Sequence, residues 1–148
     1  MDSVLILWAP DTAENRKVVD LVTKAFDEAG VGTQTKKVTE ATIADINGAR
    51  IVVFGAQKAN GTEVPPEYAE CMRAFKGVTL AGRTAGFFSL GAERATAKLR
   101  KALKDTEVSQ LEDDPVFAEQ KPNLSSEIAA WAAKLLSAHK EMHHARRT

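Results

Sequence analysis

Val4-Leu5-Ile6-Leu7-Trp8-Ala9-Pro10-Asp11-Thr12 is the stretch that decides the architecture. Val4 to Trp8 are apolar without a break and rich in strand formers, and Ala9-Pro10-Asp11 stops them. A strand with one wet face would alternate, so an unbroken run reads as a strand buried on both faces. Such a strand belongs inside a parallel sheet. Immediately outward, Val18, Leu21, Val22, Ala25, Phe26 and Ala29 recur at helical spacing and Gly30 follows as a stop, which predicts an amphipathic helix lying on that sheet.

The same alternation of strand and helix continues along the chain. Gly32 to Val38, with Thr33, Thr35 and Lys37, reads as a weaker strand placed at an edge. Thr39 is expected to cap a short helix carrying Ile43 and Ile46 to Gly48. Arg50-Ile51-Val52-Val53-Phe54-Gly55 repeats the buried-strand signature, and Ala56 to Val64 then runs without periodicity, as a functional loop does. Pro65-Pro66 opens a helix with Tyr68, Cys71, Met72 and Phe75 inward. Arg83 to Ser89 is a fourth strand, and Glu93 to Lys104 a helix with Ala95, Leu99, Ala102 and Leu103 inward. Val108 to Leu111 supplies a fifth strand, with Val116-Phe117 as the alternative. Ser125 or Ser126 starts a last helix striped by Ile128, Trp131, Ala132, Leu135 and Leu136.

Composition agrees with one compact unit. The 148 residues suit a single domain, expected over 1–142 with a fraying basic tail at 143–148. Apolar residues make up 44% and charged residues 27%, as in an ordinary globular protein. Lys plus Arg and Asp plus Glu number 20 each, so no overall field draws in nucleic acid or an anionic membrane. No apolar run approaches the roughly 20 residues of a spanning helix, and Val4 to Trp8 lacks the pattern of a signal peptide. A cytoplasmic protein without membrane insertion is the expectation. Cys71 is the one cysteine, which excludes an internal disulfide and leaves a buried, inert thiol.

Strands alternating with helices imply a parallel sheet with right-handed crossovers, covered on both faces. Ligands of such sheets sit outside the carboxyl ends of the strands where the winding reverses. Three loops lie there: Ala9 to Asn15, Ala56 to Val64 and Ser89 to Ala92.

The segments VLILWAPDTAEN, RIVVFGAQKANGTEVPPEY and TAGFFSLGAERATAKLRKAL, followed by a helix after EQKPNLSSE, resemble the short-chain flavodoxins in order and spacing. The resemblance spans nearly the whole chain. It implies an α/β fold of flavodoxin type, a three-layer sandwich with a five-stranded parallel sheet of order 2-1-3-4-5 and helices on both faces. It also implies noncovalent FMN binding and electron transfer to a redox partner protein, with the chemistry carried by the cofactor and no catalytic side chain.

In that family the FMN phosphate rests in a loop of the form Ser/Thr-x-Thr-Gly-x-Thr at a helix N-terminus. The corresponding stretch here is Pro10-Asp11-Thr12-Ala13-Glu14-Asn15, preceded by Ala9. Thr12 matches, whereas Pro10, Ala13 and Asn15 depart from the hydroxyl, glycine and final threonine; an alignment shifted to place Asp11 at the glycine also leaves the motif altered. The plainer role for Asp11 or Thr12 is a helix cap. The resemblance places the ring between the second and third loops, at Gln57, Lys58, Asn60 and Gly61 and at Ser89, Leu90 and Gly91, with Leu90 against one face. Neither loop supplies an aromatic ring, and Trp8 and Phe88 at strand ends read as core. Flavodoxins are usually strongly acidic, and this chain is neutral.

The altered phosphate loop and ring-free loops also suit a flavodoxin-like domain that has lost FMN and serves as a protein-binding or assembly module. Receiver domains share the strand order but need an aspartate ending the third strand, where this chain has Phe54-Gly55. His139 and His143, four apart, read as a solvated helix end because no third metal ligand accompanies them. No nucleophile with a base appears.

Overall fold

The computed structural model describes residues 3–57, 64–91 and 93–144. Among the described residues, six strands form one sheet: β1 (Ser3–Ala9), β2 (Gly32–Lys37), β3 (Ile51–Ala56), β4 (Thr84–Leu90), β5 (Ser109–Gln110) and β6 (Val116–Phe117). Their order is β2-β1-β3-β4-β5, and β6 also pairs with β4. All pairings are parallel. The helices are α1 (Ala13–Glu28), α2 (Ile43–Gly48), α3 (Ala69–Ala74), α4 (Ala97–Ala102) and α5 (Leu124–His144).

The unbroken apolar runs of β1 and β3 are explained by two separate cores. Val4, Ile6 and Trp8 point to one face, where α1 and α5 bring Val18, Val22, Phe26, Ile128, Trp131 and Leu135. Leu5, Leu7 and Ala9 point to the other, against Ile46, Tyr68, Phe75 and Leu99. Successive strand residues face opposite sides, so both layers need apolar partners and no polar position is left in between. The fold is thus the expected three-layer, flavodoxin-like α/β sandwich. β2 stands at an edge, where Thr and Lys suffice because one side has no neighbour.

Five local expectations change. Thr42, not Thr39, caps α2: its hydroxyl accepts from the Asp45 N–H at 3.2 Å while the Asp45 carboxylate accepts from the Thr42 N–H at 2.9 Å. Val38–Glu40 is instead a separate 3-10 turn. α4 begins at Ala97 rather than Glu93, since the Ser89 hydroxyl accepts from the Ala95 N–H at 2.8 Å and Thr96 is tied to Asp114 ahead of the helix. Both candidates for the fifth strand are used. Ser109 and Gln110 pair with the start of β4, and Val116 and Phe117 with its end. The excursion between them is pinned by Arg100, which pairs with Asp114 at 3.3 Å, donates to the Leu111 carbonyl at 2.7 Å and lies over the Phe87 ring. Finally, α5 starts at Leu124, ahead of both serines, and its 21 residues carry it back across the sheet. That length brings His139 to the opposite edge, where it is buried with Nδ1 2.6 Å from the Thr84 hydroxyl. His139 is therefore a core residue and not part of a solvated helix end.

Candidate functional site

The site is built where β1, β3 and β4 end. Loop 1 runs from Ala9 to Asn15. Thr12 has extended backbone and caps α1, its hydroxyl accepting from the Asn15 N–H at 3.1 Å. An N-cap of this kind satisfies one of the first-turn donors. Among the described residues, the N–H groups of Ala13 and Glu14 meet no acceptor, and a helix start with such open donors carries a partial positive charge. The Ala9-Pro10 peptide is cis, and the Pro10 carbonyl turns inward to accept from the Thr12 N–H.

Asn15 joins loop 1 to the other two. It is fully buried, and its Nδ2 donates to the Pro10 carbonyl at 3.1 Å and to Gln57 Oε1 at 2.9 Å. Gln57 in turn donates its backbone N–H to the Ala9 carbonyl at 3.2 Å, fixing the end of β3 beside the end of β1. The far end of its side chain meets loop 3. Gly91 has φ +97°, and a Cβ there would stand 2.7 Å from Gln57 Nε2. The left-handed backbone favours glycine, and a side chain there would also displace the Gln57 amide. The Gly91 N–H also donates to the Phe117 carbonyl, which ties loop 3 to β6. Asn15 and Gln57 thus tie loop 1 to the start of the second loop through a partly buried hydrogen bond, and the Gln57 amide lies beside Gly91 of loop 3.

Charge is arranged on the outer side of this hydrogen bond. Asp11 takes Arg16 in a two-point ion pair, Nε to Oδ1 at 2.5 Å and Nη2 to Oδ2 at 2.8 Å, with Lys37 Nζ at 3.4 Å. Hydrogen bonding from Arg16, reinforced by its charge and by Lys37, holds the Asp11 carboxyl below the usual carboxylate range. A cleft of about 120 Å³ opens here, lined by Trp8, Ala9, Asp11, Lys37, Val38, Thr39 and Glu67. A larger cleft of about 340 Å³ lies between α2 and α3 beside Cys71 and includes none of the described loop residues.

The sequence-predicted residues separate into groups. Pro10, Asp11 and Thr12 make the turn between β1 and α1, Ala13, Glu14 and Asn15 form the first turn of α1, and Ala9 is buried at the end of β1. Gln57 lies between loops 1 and 3. Lys58, Asn60 and Gly61 fall outside the described residues. Ser89 is buried and occupied with the Ala95 N–H, while the Leu90 side chain is fully buried in the core with α1 and α5. Phe88 is fully buried and Trp8 nearly so, in the same core. Arg16 and Lys37 are the contributors that sequence reasoning missed. Arg16 was detectable, since a basic residue one turn into a helix and five after Asp11 can fold back on it; Lys37 comes from β2 and carried no local signal.

No family model matches the sequence, and no curated protein matches it. Solved structures do resemble it in fold. A short-chain flavodoxin associated with a non-canonical PDU bacterial microcompartment aligns with TM-score 0.82 at 16% identity, over 94% of this chain and 99% of that one. Oxidised flavodoxin 1 from Bacillus cereus gives TM-score 0.82 at 10% identity, over 92% and 98%. The Fusobacterium nucleatum flavodoxin bound to flavin mononucleotide gives 0.76 at 14% identity, over 93% and 99%. At these identities the likeness establishes a flavodoxin-like fold across nearly the whole chain.

Proposed function

We propose that this chain binds FMN noncovalently at the carboxyl edge of its sheet and transfers electrons to a redox partner protein in the cytoplasm. The observation that carries the reading is the Asn15–Gln57 hydrogen bond with Gly91 beside the Gln57 amide, which brings three loops close at the rim where this fold class places its ligands. The near full-length likeness to flavodoxins, one of them with FMN bound, supports the same assignment.

The residues of loop 1 suit a phosphate in one respect and oppose it in another. The Ala13 and Glu14 N–H groups and the Thr12 hydroxyl would donate to its oxygens. The Asp11 carboxylate would repel it, an effect offset by Arg16 and Lys37. Asn15 and Gln57 would act as positioning residues, since their amides are used in holding the loops to each other. When bound, the flavin supplies the redox chemistry, and the protein's part is to orient it and tune its surroundings.

The test is direct. Protein purified without added cofactor, then titrated with FMN while flavin fluorescence is followed, should be yellow or should quench FMN to a stoichiometric end point. Colourless protein that leaves the fluorescence of added FMN unchanged refutes the reading.

A further inference from the structure

Loop 1 carries its own anion. Asp11 engages Arg16 at two points and Lys37 at a third, so these cations are committed before any ligand arrives. The neighbouring cations are committed as well: Lys17 pairs with Glu119 at 2.7 Å and Lys36 with Asp45 at 3.0 Å. A phosphate dianion entering here would meet open backbone donors, while the two cations the structure places against loop 1, Arg16 and Lys37, already face Asp11. Asp11 directly precedes the α1 cap Thr12, so its charge bears on any anion held at that helix start.

A second observation, independent of Asp11, points the same way. Asn15 is fully buried in this loop, and its Oδ1 has no hydrogen-bond partner among the described residues. A buried lone acceptor calls for a donor. A hydroxyl carries one, and a phosphate dianion does not. The open N–H groups of Ala13 and Glu14 serve either kind of group, so they do not decide between them.

We infer that Asp11 is the specificity-determining residue of loop 1: as an internal counter-ion for Arg16 and Lys37 it removes the usual advantage of a phosphorylated flavin over one that ends in a hydroxyl. This rests on the flavin reading above. Specificity is a difference of two affinities, and a built-in repulsive charge lowers one of them without touching the other.

The experiment compares FMN with riboflavin, which differ only at the phosphate, by fluorescence titration of the native chain, Asp11→Asn and Glu28→Gln. Glu28 is exposed at the far end of α1, and its substitution controls for net charge. The native chain should bind the two flavins within about tenfold of each other, a difference under about 1.4 kcal/mol. Asp11→Asn should tighten FMN about tenfold, leave riboflavin unchanged, and lose part of the gain in high salt. Glu28→Gln should match the native chain. If both flavins bind and Asp11→Asn leaves their ratio unchanged, or if the native chain prefers FMN by orders of magnitude, the inference is overturned and the flavin reading stands. If no variant binds either flavin, the flavin reading itself fails and takes this inference with it. Circular dichroism and thermal unfolding of each variant show that the comparison is made between folded proteins.

Discussion

Gly55→Ala tests how tightly the end of β3 is packed beneath the candidate site. Gly55 pairs in register with Phe88 on β4, and the Phe88 ring lies across the space a side chain at position 55 would take. A Cβ at Gly55 would stand 2.5 Å from Cζ, 2.8 Å from Cε2 and 3.1 Å from Cε1 of that ring. The ring has little room to retreat, because Phe117 lies 5.5 Å and Trp131 5.7 Å from it between centroids. Overpacking a filled core by one methyl costs about 1–3 kcal/mol. Gly55 does not have a positive φ, so alanine also restricts the unfolded chain and returns about 0.4–1 kcal/mol. The net expectation is a loss of about 1.5 kcal/mol, or a fall in melting temperature of roughly 3–6 °C for a chain of this size. Thermal and urea unfolding measure it. Adding Phe88→Leu to Gly55→Ala should make the pair less destabilised than the sum of the two single changes, because the obstructing ring is gone. An unchanged or raised melting temperature in Gly55→Ala, or strict additivity in the double variant, refutes the packing argument.

Tyr68→Phe should destabilise by about 1–2 kcal/mol in urea unfolding, since the buried hydroxyl shares its one proton between the Gly55 carbonyl at 2.9 Å and the Leu7 carbonyl at 3.2 Å. Asp45 is held below the usual carboxylate range, first by the Thr42 N–H and then by Lys36. Its contribution is therefore complete above the unfolded carboxyl value and lost as pH falls through the lower folded one; acid unfolding of Asp45→Asn should show a smaller loss over that window than the native chain. Cys71 is half-buried, not fully buried as its sequence position suggests, and that partial burial pushes its thiol up to about 12. Stability linked to it is complete below the unfolded thiol value and declines as pH rises toward about 12. A thiol reagent at pH 8 should label native protein slowly and unfolded protein fast, and equal rates would show that the thiol is not shielded.

The sequence revealed the sheet where one residue pattern had one physical meaning. Val4 to Trp8 and Ile51 to Phe54 face two apolar layers at once, so their unbroken runs had no other economical reading, and Gly32 to Lys37 declared an edge by its threonines and lysines. The fifth position was harder. Each of its pieces is two residues long, too short for any periodicity, and what separates them is a tertiary knot of Arg100, Asp114 and Phe87 with no local signature. The Thr42 cap was legible and overlooked: Thr42-Ile43-Ala44-Asp45 has the spacing of a reciprocal capping pair, whereas Thr39 has none of it. His139 was misjudged because a sequence stripe shows which side of a helix is apolar but not how far the helix extends over the sheet, and here it reaches Thr84.

For the site, position was legible and internal wiring was not. Strand ends that must meet at one rim locate loops 1 and 3 from topology alone. Asn15, by contrast, reads in sequence as a weakened substitute for a phosphate-binding threonine, a residue that has lost something. In the fold it spans toward Gln57, 42 positions away, and that contact replaces the lost role with a different one. Asp11 follows the same logic: in sequence it is an objection to phosphate, and in space Arg16 and Lys37 partly cancel the objection while being used up by it. Asn15 and Asp11 therefore act together: loop 1 gains internal hydrogen bonds and an internal ion pair, and the Ala13 and Glu14 N–H groups are left open, with Asn15 Oδ1 without a partner among the described residues.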